Sequence, residues 1–334
     1  YTGKSLTLLG NLINDGTIDL SINDSATKGL TMTGNQPQNI YGTGNFGVIS
    51  YLNINNAQGV TTVAPLGISR TLFLTSGILD NQGGITFDNK RTGSFTGGIA
   101  SGQINRYAAS SITGDSVRLG TSSGATLILN YLGNAAITES GEVPITRTIH
   151  QLSINNSGGL TINDDLRLVG SNPLNLTNGI VTVLSGKTIT CTNAGTATGN
   201  ANSFIDGAVA MSFGTTAVNR VFPIGSVGKN RKVSVNGLKA ISGTASLKFS
   251  IVHDNTGTAG IGLTSLAPLR RWVGEITNGQ VDSFTNINID FGTDDGSNLD
   301  RVAVANVIGG SYHSLGEATA ITAISGNSNV GGLG

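Results

Sequence analysis

Charge is the scarcest feature of this sequence, and its scarcity removes several function classes at once. Asp, Glu, Lys and Arg make up 11% of the 334 residues, less than half the roughly 25% of an average soluble domain. The 19 basic and 19 acidic side chains cancel, and they are scattered along the chain. No basic run exists that would neutralise a series of phosphates, so nucleic acid is not an expected partner. Cysteine is nearly absent too. The single Cys191 forms no internal disulfide, and in the alternating run "KTITCTN" it reads as a small buried residue, with no His near it to lower its pKa. Aromatics are only 5%, too few for an extended sugar-stacking platform. No apolar run approaches the ~20 residues of a membrane span, and no signal peptide opens the chain. It begins at Tyr1 rather than Met, which reads as a mature or excised piece of a longer precursor.

Glycine, Thr, Ser and Asn fill the space that charge leaves. There are 49 Gly residues, about twice the usual share. These residue types suit turns and strand faces and form helices poorly, so the expected fold is all-β with many tight turns. The apolar pattern agrees. "SLTLLG" (5–10), "GTIDLSI" (16–22), "GLTMTG" (29–34), "YLNINN" (51–56) and "TLFLTSG" (71–77) are short period-two runs bounded by Gly, Asn or Asp. The nearest approach to a helical stripe, "SLAPLRRW" (265–272), is interrupted by Pro268.

One phrase occurs twice. "YLNINNAQGV" (51–60) returns as "QLSINNSGGL" (151–160), and "LFLTSGI" (72–78) returns as "LNLTNGI" (174–180). A repeat of this length is too long for one coil of a solenoid and must hold several strand-turn units. The expected architecture is therefore a β-solenoid (β-helix-like) over residues 1–218, with two copies of a unit of about 100 residues. Asn55–Asn56 and Asn155–Asn156 stand where each strand enters a turn. Two readings stay open for them: hydrogen bonding along the stack, or simple tolerance of left-handed turn geometry.

From about residue 219 the strands lengthen. "RVFPIG" (220–225), "RKVSVNG" (231–237), "ASLKFSIVH" (245–253), "RRWVGEI" (270–276), "NINIDFG" (286–292), "RVAVANV" (301–307) and "ATAITAIS" (318–325) give seven strands with one dry and one wet face. That count suits an immunoglobulin-like β-sandwich over 219–334, with Trp272 in its core and a flexible C-terminal tail.

"GNLINDGTIDL" (10–20), the two "INN" phrases, "TSGILD", "TNGIVT", "RVFPIGSVGKNRKVSV" and "RRWVGEI" together resemble phrases of large secreted surface proteins of Bacteroidota, many exported by the type IX route. The resemblance implies a cell-surface or extracellular location and β-helix-like repeats followed by a sandwich. It also implies adhesive, surface-layer or filament roles, and it carries no catalytic residues. The C-terminal sorting domain common in such precursors has no counterpart in "ISGNSNVGGLG" (324–334).

Motifs that bear chemistry were weighed against plainer readings. "GTGNFG" (42–47) fits G-x-G-x-x-G, but "VISYLNI" follows it where a phosphate-binding helix would be needed. "GTSSG" (120–124) fits the nucleophile elbow, yet a strand follows, and neither His150, His253 nor His313 lies in a recognisable motif. Asp164–Asp165 and the pair Glu139 and Glu142 are the carboxylates a polysaccharide-active β-helix enzyme would use, against a solvated turn as the plainer reading. "GTDDGSNLD" (292–300) concentrates Asp294, Asp295, Asn298 and Asp300, oxygen ligands suited to Ca²⁺, in what is otherwise a solvated hairpin turn. No other cofactor is expected. Thr pairs such as Thr31/Thr33 lack the fixed spacing an ice-binding face needs.

The expectation is a non-enzymatic extracellular structural or adhesive protein, a self-assembling fibre subunit or an adhesin stalk segment. End-to-end self-association and contact with glycans or another cell surface are the expected partnerships. A polysaccharide lyase or glycosidase, or a glycan-binding module, is the alternative.

Overall fold

The computed structural model describes residues 5–20, 29–87, 101–114, 126–193, 195, 197, 199–253, 257–266, 270–290, 301–304, 311–317 and 323–324. Among them there is no helix. The chain contains a β-solenoid of about eight turns and divides into two compact units, Tyr1–Thr161 and Ile162–Gly334.

The first unit is built from parallel pairs. The strand Leu6–Leu8 pairs with Leu30–Met32, which pairs with Val48–Thr62, which pairs with Leu66–Asn81. The series continues through Ser101–Arg106, Thr126–Gly133 and Gln151–Asn156. Partners in register lie roughly 20–25 residues apart, the length of one solenoid coil. No crossover helix closes these parallel connections; the chain reaches its next parallel neighbour by travelling once around the coil. Leu12–Ile13 with Gln38–Tyr41, and Ile85–Phe87 with Ile112–Gly114, supply further sides of the coils.

Alternation places one apolar column inside. Leu30, Leu52 and Leu72 stack in register, as do Met32, Ile54 and Leu74, and all are buried. Each such side chain contributes about 1.5–3 kcal/mol by leaving water. Close approach of successive coils explains much of the glycine. Gly77 has φ 91° at a corner, and a Cβ there would stand 1.8 Å from the Asn56 carbonyl oxygen.

The second unit begins in the same style. Leu166–Leu168, Thr188–Cys191 and Ala208–Phe213 pair in parallel, as do Val181–Val183, Ile205–Asp206 and Ile224–Ser226. Then the hand of pairing changes. Ala208–Phe213 takes Ala245–Val252 antiparallel on its other edge, and Arg271–Asn278 follows, also antiparallel. A second antiparallel group joins Val218–Phe222, Val233–Ala240, Asn286–Ile289 and Ala323–Ile324. Phe222 and Phe249, both buried, meet edge to face with ring centroids 4.8 Å apart and anchor the core between these groups.

Candidate functional site

The repeated phrase is a corner device. Asn56 accepts the Gln58 backbone N–H at 2.9 Å, an Asx turn, while its amide donates to the Gln36 carbonyl at 2.8 Å and to Gln38 Oε1 at 2.9 Å on the preceding coil. Asn156 accepts the Gly158 N–H at 3.0 Å and donates to the carbonyls of Ala135, at 2.8 Å, and Gly159, at 3.3 Å. Both side chains are wholly buried. Asn55 and Asn155 point outward; Asn55 accepts from the Ser76 hydroxyl at 3.0 Å. The two phrases do not stack on one another. In-register partners of Leu152 run through Leu129, Ile104 and Leu79 to Val60, on the far side of the Asn56 corner from Leu52.

A polar ladder crosses the outer face of the first unit. Asp80, Asn105 and Asn130 stand in register on three successive strands. Asn105 donates to Asp80 Oδ1 at 2.9 Å, Asn130 donates to Asn105 Oδ1 at 3.1 Å, and Gln103 donates to the same oxygen at 2.6 Å. The Tyr107 hydroxyl also donates to Asp80 Oδ1, at 3.0 Å; burial and then this carboxylate push the phenol up to about 12. On the same sheet Tyr51 and Phe73 pack with centroids 4.8 Å apart.

The carboxylates expected of an enzyme are engaged elsewhere in the fold. Glu139 accepts two hydrogen bonds from Arg147 Nη2, at 2.8 and 2.9 Å. Glu142 is wholly buried and accepts from Tyr131, from the Ser140 backbone and from the Ser140 hydroxyl. Asp164 pairs with Lys187 at 2.6 Å, and Asp165 accepts the Thr188 N–H at 2.8 Å across the coil. Each fixes a turn or neutralises a neighbouring cation.

Sequence reasoning missed one polar constellation. Ser226 Oγ lies 2.5 Å from His253 Nε2, beside Asp206 on the adjacent parallel strand. Burial raises the Asp206 pKa, and the nearby His253 charge offsets this in part. Ser226 is 1% exposed, so an external substrate does not reach its hydroxyl. The contact ties the end of Ala245–Val252 to the last parallel coil. Only the alternation of "PIGS" hinted that Ser226 points inward.

Asp294, Asp295, Asn298 and Asp300 lie outside the described residues, as do "GTSSG" and the C-terminal tail. Among the described residues no group of three or more His, Cys, Asp or Glu is placed to hold a metal ion. Trp272 is half-buried, because its ring N–H turns to donate to the Arg231 carbonyl at 3.2 Å. The three glycines of "GTGNFG" serve stacking: a Cβ on Gly42, Gly44 or Gly47 would fall within 2.1–2.3 Å of the carbonyls of Asn14, Gly16 or Ile18 on the preceding coil. No helix of the described residues is long and apolar enough to cross a membrane. Comparison with protein-family models, curated proteins and solved structures finds no match to this chain.

Proposed function

We propose that this chain is a non-enzymatic structural or adhesive module of a bacterial cell surface, a stalk segment or a self-associating subunit of an extracellular assembly. One observation carries the reading. The carboxylates most eligible for catalysis, Glu139, Glu142, Asp164 and Asp165, are each consumed in holding coils and turns together. The low charge and Gly/Asn-rich strand phrases that resemble Bacteroidota surface proteins support the location. The antiparallel strands between Ala208 and Ile324 constitute, in this reading, an immunoglobulin-like sandwich that follows the solenoid. Incubation with a panel of neutral and acidic glycans is the test: no turnover is expected, and turnover abolished by substituting Asp164 or Asp165 would overturn the proposal.

A second reading, a glycan-binding module without turnover, is favoured by the outward ladder Asp80–Asn105–Asn130 with Tyr107 at its margin. Planar amides and a phenol side by side suit sugar hydroxyls. Glycan-array binding lost in Asn105→Ala would establish it.

A further inference from the structure

The two ends of the solenoid are finished differently. In the second unit every side of the last coil is covered. Ala208–Phe213 is covered by the antiparallel strand Ala245–Val252, and Ile224–Ser226 by the hairpin strand Lys229–Asn230. The edge of Leu174–Asn178 is met by Asn200, whose amide donates to the carbonyls of Leu176 and Thr177 at 3.1 and 3.2 Å. An antiparallel strand on a parallel ladder ends the stacking, because no further parallel coil can join that edge.

The first coil has no such cover among the described residues. Leu6–Leu8 pairs only with Leu30–Met32, and Leu12–Ile13 pairs only with Gln38–Tyr41. Leu6 donates its N–H to Gly29 and Leu8 accepts from Thr33, so both face the second coil. In a strand the residue between them faces the other way, which turns the Thr7 N–H and C=O outward along the solenoid axis. The apolar column ends there uncovered: Leu6 is 36% exposed, whereas its in-register successors Leu30, Leu52 and Leu72 are 0%, 0% and 2%. Leu9, at 75%, adds apolar surface beside it. Terminal solenoid repeats ordinarily carry a polar outer face, and this one does not.

We propose that the first coil is a self-complementary interface that takes the first coil of a second copy, giving a closed head-to-head pair. Two features select a second copy. The stretch "SLTLLGNLIN" (5–14) has no charged side chain, so bringing two identical faces together opposes no like charges. The covered far end has no open parallel edge to offer, so the matching face available from this protein is the same coil of another copy. A twofold axis normal to the sheet pairs Leu6–Leu8 antiparallel with its mate. Thr7 then faces Thr7 of the second copy, and each Leu6 lies beside the other copy's Leu8. Because such an interface is isologous, association stops at two. The inference deepens the structural-module reading by naming the partner and the stoichiometry; glycan turnover would overturn that reading without touching this one.

Sedimentation of the full chain, together with thiol cross-linking, tests it. Cys191 is buried, so an added surface thiol is the one that reacts. Opposed residues of a hydrogen-bonded antiparallel pair have Cα atoms about 5.5 Å apart, within disulfide reach. Wild-type protein is expected to sediment as a dimer. Thr7→Cys is expected to cross-link nearly all of it on mild oxidation, and Ile261→Cys, at an 85% exposed site, is not. Thr7→Pro removes an N–H that no partner strand within the chain uses, so it should give monomer with unchanged circular dichroism. A monomer at all concentrations, open-ended polymers, or equal cross-linking at the two sites would each overturn the proposal.

Discussion

The Tyr131 hydroxyl donates to Glu142 Oε1 at 3.1 Å, and neither residue reaches solvent. Arg106, on the strand beside Tyr131 and in register with it, brings its Nε to 3.6 Å from Glu142 Oε2. A carboxylate, a guanidinium and a phenol thus share the interior of a coil that elsewhere holds Leu and Ile. Burial, and then the glutamate charges, push the Tyr131 pKa well above its ordinary value of 10.0.

Removing one member of this cluster strands another. Glu142→Ala is expected to lower stability by about 3–5 kcal/mol in urea unfolding, because the Arg106 charge stays buried without its counter-ion. Arg106→Met combined with Glu142→Gln should recover most of that loss. If the double variant is as unstable as the single one, the charge pair is not the cause.

The corner asparagines separate acceptor from donor. Asn156→Ala should cost about 1–3 kcal/mol through the buried backbone groups it leaves unpaired. Asn156→Asp keeps the acceptor for the Gly158 N–H but loses both donations, to Ala135 and Gly159, and adds a buried charge. It should therefore be the worse of the two at neutral pH and improve on acidification, read as urea midpoints at pH 7 and pH 4.

Burial pushes the Cys191 thiol up to about 12, with Arg220 nearby offsetting part of the effect. Thiolate is the reactive form, so labelling at pH 8 should proceed only as fast as the protein opens. Labelling in native buffer at the rate of a free thiol would contradict the buried placement.

Asp206 predicts a pH dependence of defined sign. Its folded pKa is raised from 3.8, burial being the leading cause, so ionisation is disfavoured in the folded state. The penalty is absent below the unfolded value, grows as pH rises through the folded one, and is complete above it. Asp206→Asn should thus stabilise at pH 7, with the gain closing as pH falls towards 3.8. A gain that persists unchanged at low pH would point to packing rather than charge.

Much of the fold was legible because period two is a direct record of which side chains face inward. Leu52, Ile54, Leu152 and Ile154 all lie in the core, as alternation requires. The same rule carried a signal for the buried cluster: in "QINR" (103–106) Ile104 and Arg106 share a face. An arginine at an inward position asks for a buried partner, yet nothing local names Glu142, which arrives from a turn 36 positions on. His253 and Ser226 likewise meet only because Ala245–Val252 folds back on the last parallel coil.

The sequence by itself determined that the chain would be β throughout, and that a strand ending in Asn would enter a tight turn. Both follow from side-chain alternation and from an Asn side chain bonding the backbone two residues on, interactions that need only neighbours. Tertiary structure decided where each turn falls. Coils of roughly 20–25 residues do not divide the spacing of the two phrases evenly, so Asn56 and Asn156 close different corners. It also decided which coil is covered and which is left open, since that depends on the strand that returns from far along the chain.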